Sequence, residues 1–394
     1  TNGRVVVDAD KSDKIQLVLD GVTINCDTSA ALYVKQADKV FVTLASGSRN
    51  TLSNKKDFVA VDDNNIDAVI FSKEDLTLNG AGALTVQAAY GHGIVSKDDL
   101  VVTGGTIAVT AARHALAGKD SVRIADGSLT LTAGKDGIHA ENADDTTRGF
   151  VYIAGGTVTV TCDGDGVDAG ATAQIKNGIL TITAGGGSAN ATQKKEEMFG
   201  PGGWNQSSST TTDEESTSAK GIKSAGDLTI SGGSITVDAA DDALHSNANA
   251  TISGGSFTLA TGDDGLHADN NTAISGGTIT ISQSYEGIEG KTIAISGGNI
   301  TLTASDDGLN AAGGNDQSGF GGGMRPDTFS SGDSDCSITI SGGKIIINAD
   351  GDGIDSNGNL YVTGGETYVS GPTNGGNGAL DYDGEATITG GIVV

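Results

Sequence analysis

Along most of the chain, apolar and polar residues alternate in short runs that are separated by paired glycines. In LTISGGSITVDAADDALHSN (228–247), the LTI before the glycines alternates, and Ile235 and Val237 then alternate with Ser, Thr and Asp. A period of two predicts half-buried β-strands, and the density of Thr, Val and Ile also favours strands. The unit therefore predicts two short strands and a third around Leu244, and no segment is long enough for a helix.

The same unit recurs at a nearly constant spacing. The second glycine of the pair falls at Gly233, Gly255, Gly277 and Gly298, which are 22, 22 and 21 residues apart. The other ten glycine anchors are Gly21, Gly47, Gly82, Gly105, Gly127, Gly156, Gly178, Gly343, Gly365 and Gly391. A repeat of this length predicts a solenoid, and glycine suits sharp corners because it adopts positive φ without a steric penalty. We expect an all-β fold, a single-stranded right-handed parallel β-helix of about 14 turns that forms one domain over 1–394.

Two segments interrupt the repeat, at about 185–217 and 311–335, and both are rich in Gly, Ser and Thr. In solenoids, such insertions map to surface loops. Each also carries bulky residues that are rare elsewhere, among them Phe199 and Trp204 in the first. Two interpretations remain open: low-complexity surface loops, or flaps that contact a ligand.

Acidic residues concentrate beside the corner of the third strand, where one precedes the corner and another often lies two residues after it. In a parallel stack these positions lie about 4.8 Å apart, where two unit charges repel by about 3–4 kcal/mol at an effective dielectric of 20. A single Asp-Asp-Gly is also a common turn, but its repetition on one edge, with few basic neighbours, predicts bridging calcium. The predicted ligands are Asp163, Asp165, Asp168, Asp241, Asp242, Asp263, Asp264, Glu286, Glu289, Asp306, Asp307, Asp350, Asp352 and Asp355.

Histidines share this edge, at His92, His139, His245 and His267. Zinc needs three or four nitrogen or sulfur ligands close together, and the last two histidines have only carboxylates around them. We therefore expect exposed, hydrogen-bonded histidines rather than a zinc site.

The charge balance excludes one class of partner. Lys and Arg total 23 against 50 Asp and Glu, a net charge of −27, and such a polyanion repels nucleic acid. No apolar run approaches the roughly 20 residues of a membrane span, so we expect no membrane insertion. The three cysteines are odd in number and far apart, so no disulfide framework is expected. We expect a monomer.

The chain resembles the carbohydrate-binding parallel β-helix family of cellulolytic clostridia, whose fold is similar to that of pectate lyases. The likeness rests on LASGSRNTLSN (44–54), on AVIFSKEDLTLNGAGALTVQAAYGHGIVSKDDLVVTGGTIAV (68–109) and on the ISGG…DDG units. The resemblance implies a secreted or surface-attached protein that binds plant cell-wall polysaccharide, with bound calcium and no demonstrated catalysis. The family often has Asp-Asp-Gly where this chain has Ala112-Arg113-His114-Ala115.

Three functions are compatible with these features. The first is non-catalytic binding, in which calcium bridges to uronate carboxylates of pectin; cellulose would instead require stacked aromatic rings, for which the candidates are Phe199, Trp204 and Tyr285. The second is a calcium-dependent pectate lyase, which needs a base beside the metal. The basic residues at strand edges are few, namely Arg113, Arg123, Lys220 and Lys223. The third is a structural, adhesin or ice-binding solenoid with a Thr-x-Thr face. We expect an extracellular binding protein.

Overall fold

The protein is built from parallel strands. The computed structural model describes residues 3–60, 64–191, 218–312, 335–372 and 375–394. Within these ranges the only helix is a short 3-10 turn at Ser188–Asn190, and every strand pairing is parallel. The strands form three ladders that run side by side along the molecule. This all-β architecture is consistent with a β-helix or solenoid.

The first ladder, called the edge ladder below, is a sheet of 14 strands. Its strands are Val5–Asp8, Leu32–Gln36, Ala68–Ser72, His92–Ser96, Leu116–Gly118, Ile138–Ala140, Val167–Ala169, Ile222–Ser224, Leu244–Ser246, Leu266–Ala268, Ile288–Glu289, Leu309–Ala311, Ile354–Ser356 and Asp381–Tyr382.

The other two ladders are joined by two long strands, Asp99–Ala111 and Ser121–Ala133, which take part in both. The remaining strands of the second ladder are Lys14–Leu19, Lys39–Leu44, Asp75–Gly80, Phe150–Ile153, Ala173–Ile175, Leu228–Ile230, Ala250–Ile252, Asn271–Ile274, Thr292–Ile295, Ser337–Ile340, Asn359–Val362 and Ala386–Ile388. Those of the third ladder are Thr23–Asn25, Arg49–Asn54, Ala83–Ala88, Thr157–Cys162, Ile179–Ala184, Ser234–Ala239, Ser256–Thr261, Thr278–Gln283, Asn299–Ala304, Lys344–Ala349, Glu366–Ser370 and Ile392–Val393.

The core lies between the three ladders, and apolar side chains stack in register along it. In the third ladder, Ile235 pairs with Phe257 and Ile300 pairs with Ile345, and all four are buried. One continuous cluster of buried apolar residues extends from Val7 to Val362. The alternation in the sequence therefore identified the inward side of the strands correctly. Cys26, Cys162 and Cys336 form no disulfide, as expected.

The corners use glycine as predicted, with one correction. Of the fourteen anchors, all but Gly82 have a positive φ; in that repeat the corner glycine is Gly80, with a φ of +99°. Gly233 has the same φ, and a Cβ on it would lie 2.9 Å from the carbonyl oxygen of Gly178. Both the backbone conformation and the close approach of the neighbouring corner therefore require glycine there.

The two insertions lie almost entirely outside the described residues, as do Phe199 and Trp204. No helix in the part of the chain that the structure describes is long and apolar enough to cross a bilayer.

Candidate functional site

The edge ladder carries two columns of polar side chains, which the strand register places one above another. The strand column contains one residue from each strand from Leu116–Gly118 onward: Ala117, His139, Asp168, Lys223, His245, His267, Glu289, Asn310, Asp355 and Asp381. The corner column lies three residues earlier in the chain: His114, Asp136, Asp165, Lys220, Asp242, Asp264, Glu286, Asp307 and Asp352, preceded by His92. The acid ladder predicted from the sequence is these two columns.

The columns divide into two parts. In the mixed segment, which extends from His92 to His267, histidines and lysines are interspersed among the acids. In the acidic segment, which extends from Glu286 to Asp381, no Lys, Arg or His occupies either column among the residues that the structure describes. The sequence prediction that the whole ladder has few basic neighbours is therefore wrong for the mixed segment.

Asp136 lies at the centre of the first cluster in the mixed segment. Its Oδ2 lies 3.0 Å from Nδ1 of His114 and 3.2 Å from Nδ1 of His139. His139 Nδ1 also lies 3.0 Å from Oδ2 of Asp168. Burial alone would lower the pKa of His139, but hydrogen bonds to the two carboxylates outweigh it and raise the pKa to about 10.

Three imidazole rings stack at this place. The centroids of His92 and His114 are 4.9 Å apart, and those of His114 and His139 are 4.3 Å apart. Burial, and then the neighbouring His114, lower the pKa of His92 to about 3. A cavity of about 350 Å³ opens beside the stack and is also lined by Asp67 and Lys97. The prediction of exposed histidines is wrong, since His92 and His245 are each only 8 % exposed.

Lysines neutralise the acids farther along the mixed segment. The buried Asp165 accepts hydrogen bonds from the Ser218 hydroxyl and the Lys220 backbone N–H, both at 2.8 Å. The Lys223 ammonium lies 3.3 Å from Asp165 and 3.5 Å from Asp168. The remaining predicted ligand of this group, Asp163, is exposed. Protein groups thus provide the contacts that a cation would otherwise supply.

A second lysine bridges the next pair of acids. The Lys220 ammonium lies 2.8 Å from Asp241 and 2.7 Å from Asp242, and His245 Nδ1 lies 2.7 Å from the same Asp242 oxygen. Burial would raise the pKa of Asp242, but Lys220 and His245 hold it well below its ordinary value. Asp241, Asp242 and Asp263 each have one oxygen within 4.8 Å of the others.

His267 ends the mixed segment. Its Nδ1 contacts Glu289 and lies 3.2 Å from Asp264, and its Nε2 lies 3.2 Å from Asp269. Burial would lower the pKa of His267, but hydrogen bonds to the three carboxylates raise it. The buried Oδ1 of Asp264 has no hydrogen-bond partner among the described residues.

In the acidic segment, carboxylate oxygens instead accept hydrogen bonds from backbone N–H groups. Asp307 Oδ1 accepts a hydrogen bond of 2.5 Å from the Asp352 backbone N–H, and Asp352 accepts one from Gly378. Asn310 is 5 % exposed, and its Oδ1 finds no hydrogen-bond partner within the described ranges. Burial, and then the nearby charge of Asp306, raise the pKa of Asp307 to about 8.

The structure does not bring every predicted ligand together. Four groups have three ligand atoms within 4.8 Å of one another among the described residues, and neither Asp163/Asp165/Asp168 nor Asp350/Asp352/Asp355 is one of them. Of the proposed sugar-binding aromatic residues, Tyr285 is half-buried next to Glu286; the other two lie outside the described residues.

Sequence reasoning did not place Lys220, Lys223 and His114 in the columns. The signal was present, because Lys-Gly-Ile-Lys (220–223) has the same frame as Asp-Gly-Leu-His (264–267), with a lysine at each column position. His114 likewise occupies the position of the corner acid.

Parts of this chain are similar to known proteins. Residues 1–265 match the family model described as "Carbohydrate-binding domain-containing protein". A protein of that description from Acetivibrio thermocellus is 41 % identical over 187 residues, which are 47 % of this chain and 65 % of the relative, less than two thirds of its length. A solved structure of a polysaccharide lyase-like protein from C. thermocellum, a gadolinium derivative, aligns with a TM-score of 0.45 and 38 % identity over 47 % of this chain and 75 % of the other.

Proposed function

Because this chain belongs to the carbohydrate-binding domain family, we propose that it is an extracellular, non-catalytic protein that binds acidic plant cell-wall polysaccharide, such as polygalacturonate, through calcium held on the acidic segment. The proposal includes the finer fold, a right-handed parallel β-helix resembling that of pectate lyases. The calcium site is supported by the contrast between the two segments of the edge ladder.

The carrying observation is that the acidic segment combines stacked carboxylates with a buried, unsatisfied oxygen. Asn310 Oδ1 lies in the strand column between Glu289 and Asp355. A buried oxygen without a partner costs about 1–3 kcal/mol, which a cation would recover. Calcium accepts carboxylate and amide oxygens in flexible geometry. The residues that would hold it are Glu286, Glu289, Asp307, Asn310, Asp352 and Asp355, with Asp306 and Asp350 beside them.

The mixed segment is a weaker candidate for calcium. Lys220 and Lys223 already lie against Asp165, Asp241 and Asp242, and a divalent cation there would face two ammonium groups. The proposal therefore leaves out the predicted ligands of that segment, except Asp264, whose Oδ1 lies at the boundary.

Charge favours a uronate over a neutral glycan as ligand. With a net charge of −27, the protein repels a polyanion unless cations intervene, and calcium can share carboxylate oxygens from both partners. Flat neutral glucans are bound by stacked aromatic rings, and the one aromatic residue predicted on this edge, Tyr285, is half-buried.

The test measures calcium and glycan binding separately. Isothermal titration with calcium, then pull-down with polygalacturonate with and without EDTA, should give binding of both in the wild type. Asp307→Asn and Asp352→Asn should each weaken calcium binding at least tenfold and reduce glycan retention. The matched control is Asp165→Asn, which changes the same column in the mixed segment and should leave calcium affinity unchanged.

Two results would contradict the proposal. Calcium affinity that is indifferent to both acidic-segment variants would remove the site. A steady release of unsaturated product from polygalacturonate would instead show a lyase, the alternative that the sequence leaves open.

A second candidate function follows from the third ladder. A column of threonines runs in unbroken register through Thr130, Thr159, Thr181, Thr236, Thr258, Thr280 and Thr301. All are exposed except Thr159, which is half-buried. Such a regular hydroxyl array favours binding to an ordered surface such as ice. Thermal hysteresis that disappears in Thr236→Lys would support it.

A further inference from the structure

Two histidines of the three-ring stack converge on one carboxylate oxygen, which makes this part of the mixed segment different from the rest. We propose that His114, Asp136 and His139 form a binding site for a divalent transition metal of the zinc class, with Asp168 beside His139. This site goes beyond the proposed calcium and glycan binding and uses different residues.

The spacing of the donor atoms fits a tetrahedral ion. Zinc binds imidazole nitrogen and carboxylate oxygen at about 2.0–2.2 Å, so neighbouring ligand atoms around it lie about 3.3–3.5 Å apart. Here His114 Nδ1 and His139 Nδ1 lie 3.0 Å and 3.2 Å from Asp136 Oδ2, and Asp168 Oδ2 lies 3.0 Å from His139 Nδ1. The three ligand atoms of His114, Asp136 and His139 lie within 4.8 Å of one another, and rotations of the two stacked rings would direct both nitrogens at one ion, with the fourth position open to water.

The donor chemistry selects the class of metal. Imidazole nitrogen suits zinc, copper, nickel and cobalt, whereas calcium requires oxygen. Two imidazoles and one carboxylate are therefore a transition-metal set, in contrast to the all-oxygen set of the acidic segment.

The surrounding backbone holds the donors in place. The Asp165 backbone N–H donates a 2.9 Å hydrogen bond to Asp136 Oδ1, which orients Oδ2 toward the two histidines. His139 and Asp168 are direct partners in adjacent strands. Such outer hydrogen bonds fix the orientation of metal ligands. The cavity lined by His114 and His139 gives an ion a path from solvent.

The second histidine stack lacks this convergence, although its rings are 4.7 Å apart. His245 Nδ1 contacts Asp242, whereas His267 Nδ1 contacts Asp264 and Glu289. Asp242 is also held by the Lys220 ammonium. The two imidazoles therefore converge on no single carboxylate oxygen, although His245, His267 and Asp269 each offer a ligand atom within 4.8 Å of the others. This stack is the competing location for an ion, and His245→Ala tests it.

Cobalt(II) is the probe, because its visible absorption is intense in tetrahedral sites and weak in octahedral ones. Titration of the full chain with cobalt should produce the intense spectrum, saturate at one equivalent and be reversed by zinc. His114→Ala and Asp136→Asn should each weaken binding at least tenfold, whereas His245→Ala should leave it unchanged.

Because His114→Ala could disturb the stack, the near-isosteric Asp136→Asn tests the same carboxylate with less change in shape, and a melting curve of each metal-free variant checks folding. A weak octahedral spectrum, an intense spectrum that survives both variants, or one that His245→Ala also abolishes would overturn the proposal. These readouts do not involve calcium or glycan, so they are independent of the proposed function.

Discussion

The mixed and acidic segments occupy equivalent positions of one ladder, yet they balance their carboxylates in different ways. In the mixed segment, Lys223 lies in the strand column within 3.3 Å of Asp165. In the acidic segment the strand column instead contains Asn310, whose buried Oδ1 has no hydrogen-bond partner among the described residues. A column of acids can thus be balanced by the chain's own cations or by ions from solution. In the second arrangement, the stability of the acidic segment depends on the cations in solution.

The largest expected effect comes from removing an internal cation. Lys220→Met leaves Asp241 and Asp242 beside each other without their shared ammonium, and an uncompensated buried charge costs about 3–5 kcal/mol. The side chain of Lys220 is only 14 % exposed, so solvent compensates little. Urea unfolding should show this loss, while Lys344→Met on the exposed face of the third ladder should change stability by less than about 0.5 kcal/mol. A loss below about 1 kcal/mol for Lys220→Met would mean that the lysine does not balance these acids.

The next effect concerns pH in the acidic segment. The pKa of Asp307 is raised to about 8, so between about pH 4 and pH 8 the folded state holds a proton that the unfolded state has lost. In this window the stability contributed by Asp307 falls as pH rises. Without calcium, Asp307→Asn, which resembles the protonated form, should be more stable than the wild type near pH 8 by about 1–3 kcal/mol, with a flatter profile.

Calcium binding tests the same residue independently. Added calcium should stabilise the wild type near pH 8 more than it stabilises Asp307→Asn. Parallel pH profiles for the two proteins in EDTA, measured by thermal unfolding, would contradict the assignment of the proton to Asp307.

The smallest expected change in stability comes from placing one cation in the acidic segment. Asn310→Lys places an ammonium in the column position that Lys223 occupies in the mixed segment, between Glu289 and Asp355. We expect a gain of at most about 1 kcal/mol in EDTA, because the cost of burying the ammonium offsets part of its attraction to the two carboxylates, and a reduced stabilisation by calcium. Asn310→Gln is the matched control, because it lengthens the side chain without adding charge. A lysine variant that is destabilised to the same extent as the glutamine variant would show that packing, not charge, governs this position.

The fold was largely predictable from the sequence, because period-two alternation and corner glycines are local signals that repeat. The pairing of Ile235 with Phe257 follows from the 22-residue spacing alone. The error at Gly82 arose because the corner at Gly80 is one residue longer than the next one, since Leu78 and Ala83 pair with Val102 and Thr106, and its two glycines are separated by Ala81. Register follows from such counting, and it also predicted the acid columns.

The partners of each acid were less predictable, because they depend on side-chain direction across neighbouring strands. That Lys220 turns toward Asp242, 22 residues later, is not encoded in the alternation. The convergence of His114 and His139 on Asp136 likewise requires two consecutive strands to be stacked before it becomes visible. Repeat positions identified by glycines were therefore reliable, and interpretations based on single residue types, such as exposed histidines, were not.

The corner glycines also have a consequence for how this protein can change. A Cβ on Gly255, Gly277 or Gly298 would lie 3.1–3.2 Å from the carbonyl oxygen of the glycine in the preceding corner, so these positions form a seam of bare backbone along the molecule. A seam of this kind cannot accept a side chain, a label or a cross-link without local rearrangement. Chemical variety must therefore arise on the outward positions of the three ladders, where one residue can be exchanged without disturbing the corners that hold the strands in register.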